Sequence, residues 1–133
     1  MRIDALEGAL AEVAEQPGDA FSWFNVASSA VALGETARGA AAFDQAREIG
    51  LPVRMLWYQF EPFEAYAAEG RYVDLVELAE ETLAATGSIE ELHYWLGIGL
   101  EGLGRHEEAE RAWQAALKLN PAYEPALDAL ASP

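Results

Sequence analysis

Cysteine is absent from the 133 residues, which excludes disulfides, thiol nucleophiles and thiolate metal sites. Basic side chains are scarce: eight lysines and arginines stand against 23 aspartates and glutamates, a net charge of -15. A surface of that sign repels phosphate backbones and anionic headgroups, so neither nucleic acid nor a membrane is an expected partner. It speeds encounter with basic proteins or peptides, although acids also serve simply to keep an apolar chain soluble. No apolar run approaches the roughly 18 residues needed to span a bilayer, and no basic-then-apolar leader is present, so the expected location is the cytoplasm. Val, Ile and Thr are sparse and never alternate over a strand's length, which removes the usual β signal. There is no Gly-rich phosphate loop, calcium loop or zinc spacing, and no cofactor is implied.

What is present is 52% hydrophobic, far above a disordered composition, in Ala-, Leu- and Glu-rich stretches that favour helix. Gly34, Gly70 and Gly104 recur at intervals of 36 and 34 residues, each followed by the same ladder at +5, +9 and +12. The ladder reads Gly39, Phe43, Ala46; then Leu75, Ala79, Thr82; then Ala109, Trp113, Ala116. A period near 34 residues with helical spacing on both sides of a turn marks stacked helix pairs. Small residues such as Ala27, Gly39, Ala46, Gly97, Ala109 and Ala116 let helices approach, while Phe43 and Trp113 fill the space left over.

Apolar periodicity and punctuation then place the helices. The first, Ile3 to Glu15, carries a stripe at Ile3, Leu6, Leu10 and Val13 and stops at Pro17-Gly18. Asp19 is a good N-cap for the second, which runs to Leu33; Glu35 to Ile49 returns with Ala40, Phe43, Ala46 and Ile49 inward. A helix from Val53 to Glu69 follows, kinked at Pro62, and Tyr72 to Ala85 returns with Leu75, Val76, Ala79 and Leu83 inward. Ser88 and Glu91 form a capping box for Ile89 to Leu103, Glu107 to Leu119 returns, and Ala122 to Leu130 closes the chain. The expected fold is all-α, a right-handed helix-pair solenoid of seven to eight helices.

The run Trp23-x2-Val26-Ala27-x2-Ala30 with Gly34, Gly39, Phe43 and Ala46 resembles the tetratricopeptide repeat. So does Leu96-Gly97-x2-Leu100 with Gly104, Ala109, Trp113, Ala116 and Pro121. The resemblance implies one domain: an N-terminal capping helix over 1–17, repeats over 20–53, 56–89 and 90–121, and a capping helix over 122–133. The middle repeat departs most, with Pro62 and Phe63 off pattern inside the aromatic stretch Met55 to Tyr66.

In this family the first helix of each pair lines a concave groove. The resemblance therefore implies a partner-binding surface of Phe21, Phe24, Ser28, Trp57, Phe60, Glu64, Glu91, Tyr94, Ile98 and Glu101. Such a surface suits an apolar or amphipathic segment with basic residues, received by Glu64, Glu91 and Glu101. The Lys, Asn and Arg clamp by which some family members hold a chaperone's C-terminal carboxylate is missing, because Phe24, Ser28, Phe60, Glu64 and Tyr94 occupy its places. The expected function is a non-catalytic adaptor or scaffold. Alternatives are a groove filled by the chain's own terminal helices, a partner on the convex face, a homo-oligomer formed through the same patch, or an accessory domain of a larger assembly or enzyme system. Catalysis is not expected: His93 replaces a packing residue, His106 is a solvated turn residue, and acid pairs such as Glu107-Glu108 point about 100° apart on a helix.

Overall fold

The computed structural model describes residues 2–57 and 59–132, with side chains from Ala5 onward; the Ile3 side chain and Tyr58 lie outside the described residues. Eight α-helices are present among them and no strand: α1 Arg2–Glu15, α2 Ala20–Ala32, α3 Thr36–Ile49, α4 Glu61–Ala68, α5 Tyr72–Thr86, α6 Glu90–Gly102, α7 His106–Leu119 and α8 Glu124–Ala131. A single 3₁₀ turn, Val53–Leu56, precedes α4. Two compact units divide the chain at Glu69 and Gly70. Neighbouring helices pack on one another within each, giving a tetratricopeptide-like helix-pair architecture.

The recurring glycines are turns of one design. Gly34, Gly70 and Gly104 have φ of 80°, 70° and 79°, a left-handed backbone that side chains with a Cβ resist. At Gly34 the amide of Glu35 donates to the Ala30 carbonyl (2.9 Å) and that of Gly34 to Val31 (2.9 Å). At Gly104 the amide of Arg105 donates to Leu100 (2.9 Å) and that of Gly104 to Glu101 (3.0 Å). This double closure satisfies carbonyls that a helix end otherwise leaves bare. The residue after each glycine then adopts nearly one conformation: φ -88°, ψ 69° at Glu35, φ -89°, ψ 66° at Arg71, and φ -94°, ψ 65° at Arg105. Each also reaches one turn forward to an opposite charge, in Glu35–Arg38 (3.5 Å), Arg71–Asp74 (2.9 Å) and Arg105–Glu108 (2.8 Å). All three pairs lie at the surface, where solvent screens them, so they decorate the turn more than they hold it.

In the unit Met1–Glu69, α1, α2, α3 and α4 bury a line of rings. Phe24 meets Phe43 edge-on at 6.3 Å and Phe43 meets Tyr66 edge-on at 5.8 Å. Around them Ala27, Ala30, Ala40, Ala46 and Ala65 are at most 2% exposed, which lets the backbones close on the rings. The Tyr66 hydroxyl donates to Asp44 Oδ1 at 2.7 Å; burial, then this bond, push its pKa well above the ordinary tyrosine value. Asp19 caps α2 by accepting from the Phe21 amide (3.2 Å) and from the Ser22 hydroxyl (2.8 Å).

The unit Gly70–Pro133 has a core of Val76, Leu100, Ala109, Ala112, Trp113, Ala116 and Ala126. α6 can approach α7 because Gly97 has no side chain: a Cβ there would run into the Trp113 indole. The indole is tied down by donation from Nε1 to the Tyr94 carbonyl at 3.3 Å.

Several expectations need correction. The helix from Val53 to Glu69 is not continuous: a 3₁₀ turn comes first, and α4 begins at Glu61 with Pro62 in its opening turn. Proline has no N–H to continue a helix through itself but fits a first turn, so it starts α4 instead of kinking a longer helix. Ser88 does not cap α6; Ile89 holds the cap position in extended conformation with no side-chain bond. Leu10 and Ile49 are 38% and 41% exposed, the buried stripe of α1 being Leu6, Ala9 and Val13. Leu83 is only half-buried, and Thr82 takes the inward place, its hydroxyl donating to the Leu78 carbonyl at 2.7 Å.

Candidate interaction surfaces

The ten residues expected on one binding face fall into distinct settings. In the unit Met1–Glu69, Phe21 is 52% and Trp57 38% exposed. Phe24 is 5% exposed and belongs to the core, a correction to its expected place on the face. The reason is helical phase: Ala20, Phe24 and Ala27 form the inward row, and Phe21 lies outside it. Ser28 is half-buried and opens with Ala5, Ser29 and Ala32 onto a hollow of about 200 Å³ between α1 and α2. Phe60, half-buried, packs on Phe63 at 6.1 Å, and Glu64 is exposed on α4. A second hollow, about 450 Å³ and mostly apolar, is lined by Leu10, Trp23, Val26, Arg38, Ala41, Ala42 and Gln45.

In the unit Gly70–Pro133 the remaining four divide in two. Glu91 and Tyr94 sit toward the start of α6, where Tyr94 contacts Trp95 at 5.2 Å and Tyr123 at 6.1 Å, both edge-on. The segment leading into α8 thus occupies part of the face. Burial, then the Asp128 charge, raise the Tyr94 pKa; burial, then Glu91, push that of Tyr123 up to about 12. Ile98 and Glu101, one turn further on, line a cavity of about 600 Å³. The rest of its wall is Tyr72 of α5, Gly102 of α6, His106, Glu110 and Trp113 of α7, and Ala129, Leu130 and Ser132 at the end of the chain.

Sequence reasoning missed those eight, although a signal was there. His106, Glu110 and Trp113 are spaced four and three apart, one stripe of α7, and Ile98, Glu101 and Gly102 are spaced three and one on α6. His106 is not simply a solvated turn residue: it opens α7, and its Nδ1 lies 2.7 Å from Glu101 Oε2.

The two histidines are pushed in opposite directions. The hydrogen bond and then the charge of Glu101 raise the His106 pKa, whereas burial lowers that of His93. For His106 the stabilisation is fully present below the unfolded pKa of about 6.5 and is lost as pH rises through its higher folded value. For His93 the unfolded chain takes up a proton first, so stability falls as pH drops from about 6.5 toward its lower folded value. A proton NMR titration should give a His106 midpoint above the ordinary histidine value and a His93 midpoint below it. Glu101→Gln should bring His106 down and leave His93 in place; coincident midpoints would contradict both environments.

Two units of paired helices, turned by left-handed glycines and closed by small-against-large packing, define a helical-repeat protein. Residues 90–123, which span α6, α7 and the turn after them, match the family model of the tetratricopeptide repeat. No curated protein matches the sequence. Proteins of that family bind proteins or peptides and are generally non-catalytic. Among the described residues no helix is long and apolar enough to cross a membrane, and no group of three acidic or histidine side chains is arranged to hold a metal ion.

Proposed function

We propose that the protein is a tetratricopeptide adaptor that binds an apolar, basic segment of a partner protein, with 20–53, 56–89 and 90–121 as its three repeats. The match of residues 90–123 to a family of protein binders carries this reading. Support comes from the exposed rings of Phe21 and Trp57, which are large anchors for a partner. The net charge of -15 selects a basic segment over an acidic one. In the unit Met1–Glu69, Phe60 and Glu64 join these rings as contact residues, with Phe24 behind them in the core. In the unit Gly70–Pro133 the contact residues are Glu91, Ile98 and Glu101.

A display selection of random peptides on the immobilised protein tests the proposal. Enriched peptides should combine arginine or lysine with aromatic or aliphatic residues. Their affinity should fall about tenfold, about 1.4 kcal/mol, in a Phe21→Ser, Trp57→Ser variant and weaken with added salt. Enrichment of acidic peptides, or affinity unchanged in the variant, would reject the reading.

A further inference from the structure

The cavity between α6, α7 and the end of α8 has a composition that selects its occupant. Part of its lining is apolar and aromatic: Ile98, Trp113, Leu130 and Tyr72. Its polar wall carries two carboxylates, Glu101 and Glu110, against the single imidazole of His106. That wall is net negative whichever protonation state His106 takes, so an anionic ligand is repelled. The volume of about 600 Å³ falls within the range of about 300–1,000 Å³ typical of ligand sites. A chelated metal ion does not fit the arrangement, because the described residues offer no group of three suitable ligands.

We propose that this cavity receives the side chain of an arginine presented by the partner segment. The proposal deepens the adaptor reading and rests on it for the source of the arginine. An arginine meets each wall with a different part of itself. Its methylene stem lies along Ile98 and Leu130, as long cationic side chains do on apolar surface. The planar guanidinium stacks on the Tyr72 ring and donates to the Glu101 and Glu110 carboxylates, a match that a compact ammonium makes less well. Gly102 helps to shape the site: a Cβ there would strike the Tyr72 ring, so glycine lets that ring lie flat against α6 at the cavity edge.

The test uses n-butylguanidinium, a mimic of the arginine side chain, titrated into the full chain labelled for NMR, with n-butylammonium and butanoate as parallel arms. Saturable shifts should appear at Ile98, Glu101, Leu130 and the Trp113 indole with the guanidinium, more weakly with the ammonium, and not with butanoate. A Glu101→Gln, Glu110→Gln variant should weaken guanidinium binding by about fivefold or more. Ala129→Phe, which fills the cavity while keeping both carboxylates, should abolish it in a chain whose helical circular dichroism is unchanged. No saturable shifts at the cavity, an equal response to butanoate, or full affinity in a folded variant of either kind would overturn the proposal. The peptide selection on Phe21 and Trp57 is scored separately, so loss of the arginine site leaves a different signature from loss of the adaptor reading.

Discussion

Phe43→Ala is expected to lower the unfolding free energy by about 3–5 kcal/mol, the cost of removing a large ring from a core that collapses poorly around the gap. Phe43 is fully buried and sits between Phe24 and Tyr66, so its loss removes two edge-to-face contacts worth about 0.5–1.5 kcal/mol each beyond burial. The alanines that face the ring, Ala27, Ala40 and Ala46, are too short to fill the space it leaves. Urea unfolding followed by circular dichroism reads the result: the midpoint should fall while the slope stays close to that of the wild type. A loss under about 1 kcal/mol would mean that the ring is not the centre of its unit.

Gly97→Ala should cost about 2–3 kcal/mol, even though alanine is the better helix former by about 1 kcal/mol. The added methyl meets the Trp113 indole at Nε1, Cδ1 and Cε2, the body of a rigid ring that is tied to the Tyr94 carbonyl. Either α6 and α7 separate or the bond from Trp113 to the Tyr94 carbonyl breaks. Gly8→Ala in α1 is the matched control, because a Cβ there meets nothing within 4 Å; it should stabilise by about 0.5–1 kcal/mol. Two substitutions of one kind therefore carry opposite signs. Thermal melts of both decide the point, and a stabilised Gly97→Ala would refute the close approach of α6 to α7.

Much of the helix plan was legible because its punctuation is local. The left-handed turns at Gly34, Gly70 and Gly104 and the Asp19 cap depend on a few neighbouring residues, and each sits where the residue pattern puts it. The ladder of small and large residues likewise reports which side chains face inward at Phe43, Ala79 and Trp113. The stretch before α4 was not legible, since apolar density from Val53 onward suits a helix and a 3₁₀ turn equally. Only the placement of Pro62 within the first turn of α4 separates them.

The surface was harder to read than the fold. Phe21 and Phe24 differ by about 60° of helical phase, and the core boundary on α2 passes between them. Periodicity locates a face to about one side chain, which is too coarse to divide two adjacent rings. The cavity draws residues from α5, α6, α7 and α8, so its composition depends on how four helices meet and not on a stripe of any one. His106 illustrates the difference: its neighbours Glu107 and Glu108 suggest a solvated turn, while its partner, Glu101, stands across the Gly104 turn.

The most direct measurement on the account as a whole is NMR shift mapping with a peptide enriched by the selection. Perturbed amides and indoles should include Phe21 and Trp57, and the effect should weaken as salt screens the acidic surface. Perturbations confined to the solvent-facing side of α3, with those two residues unmoved, would contradict it.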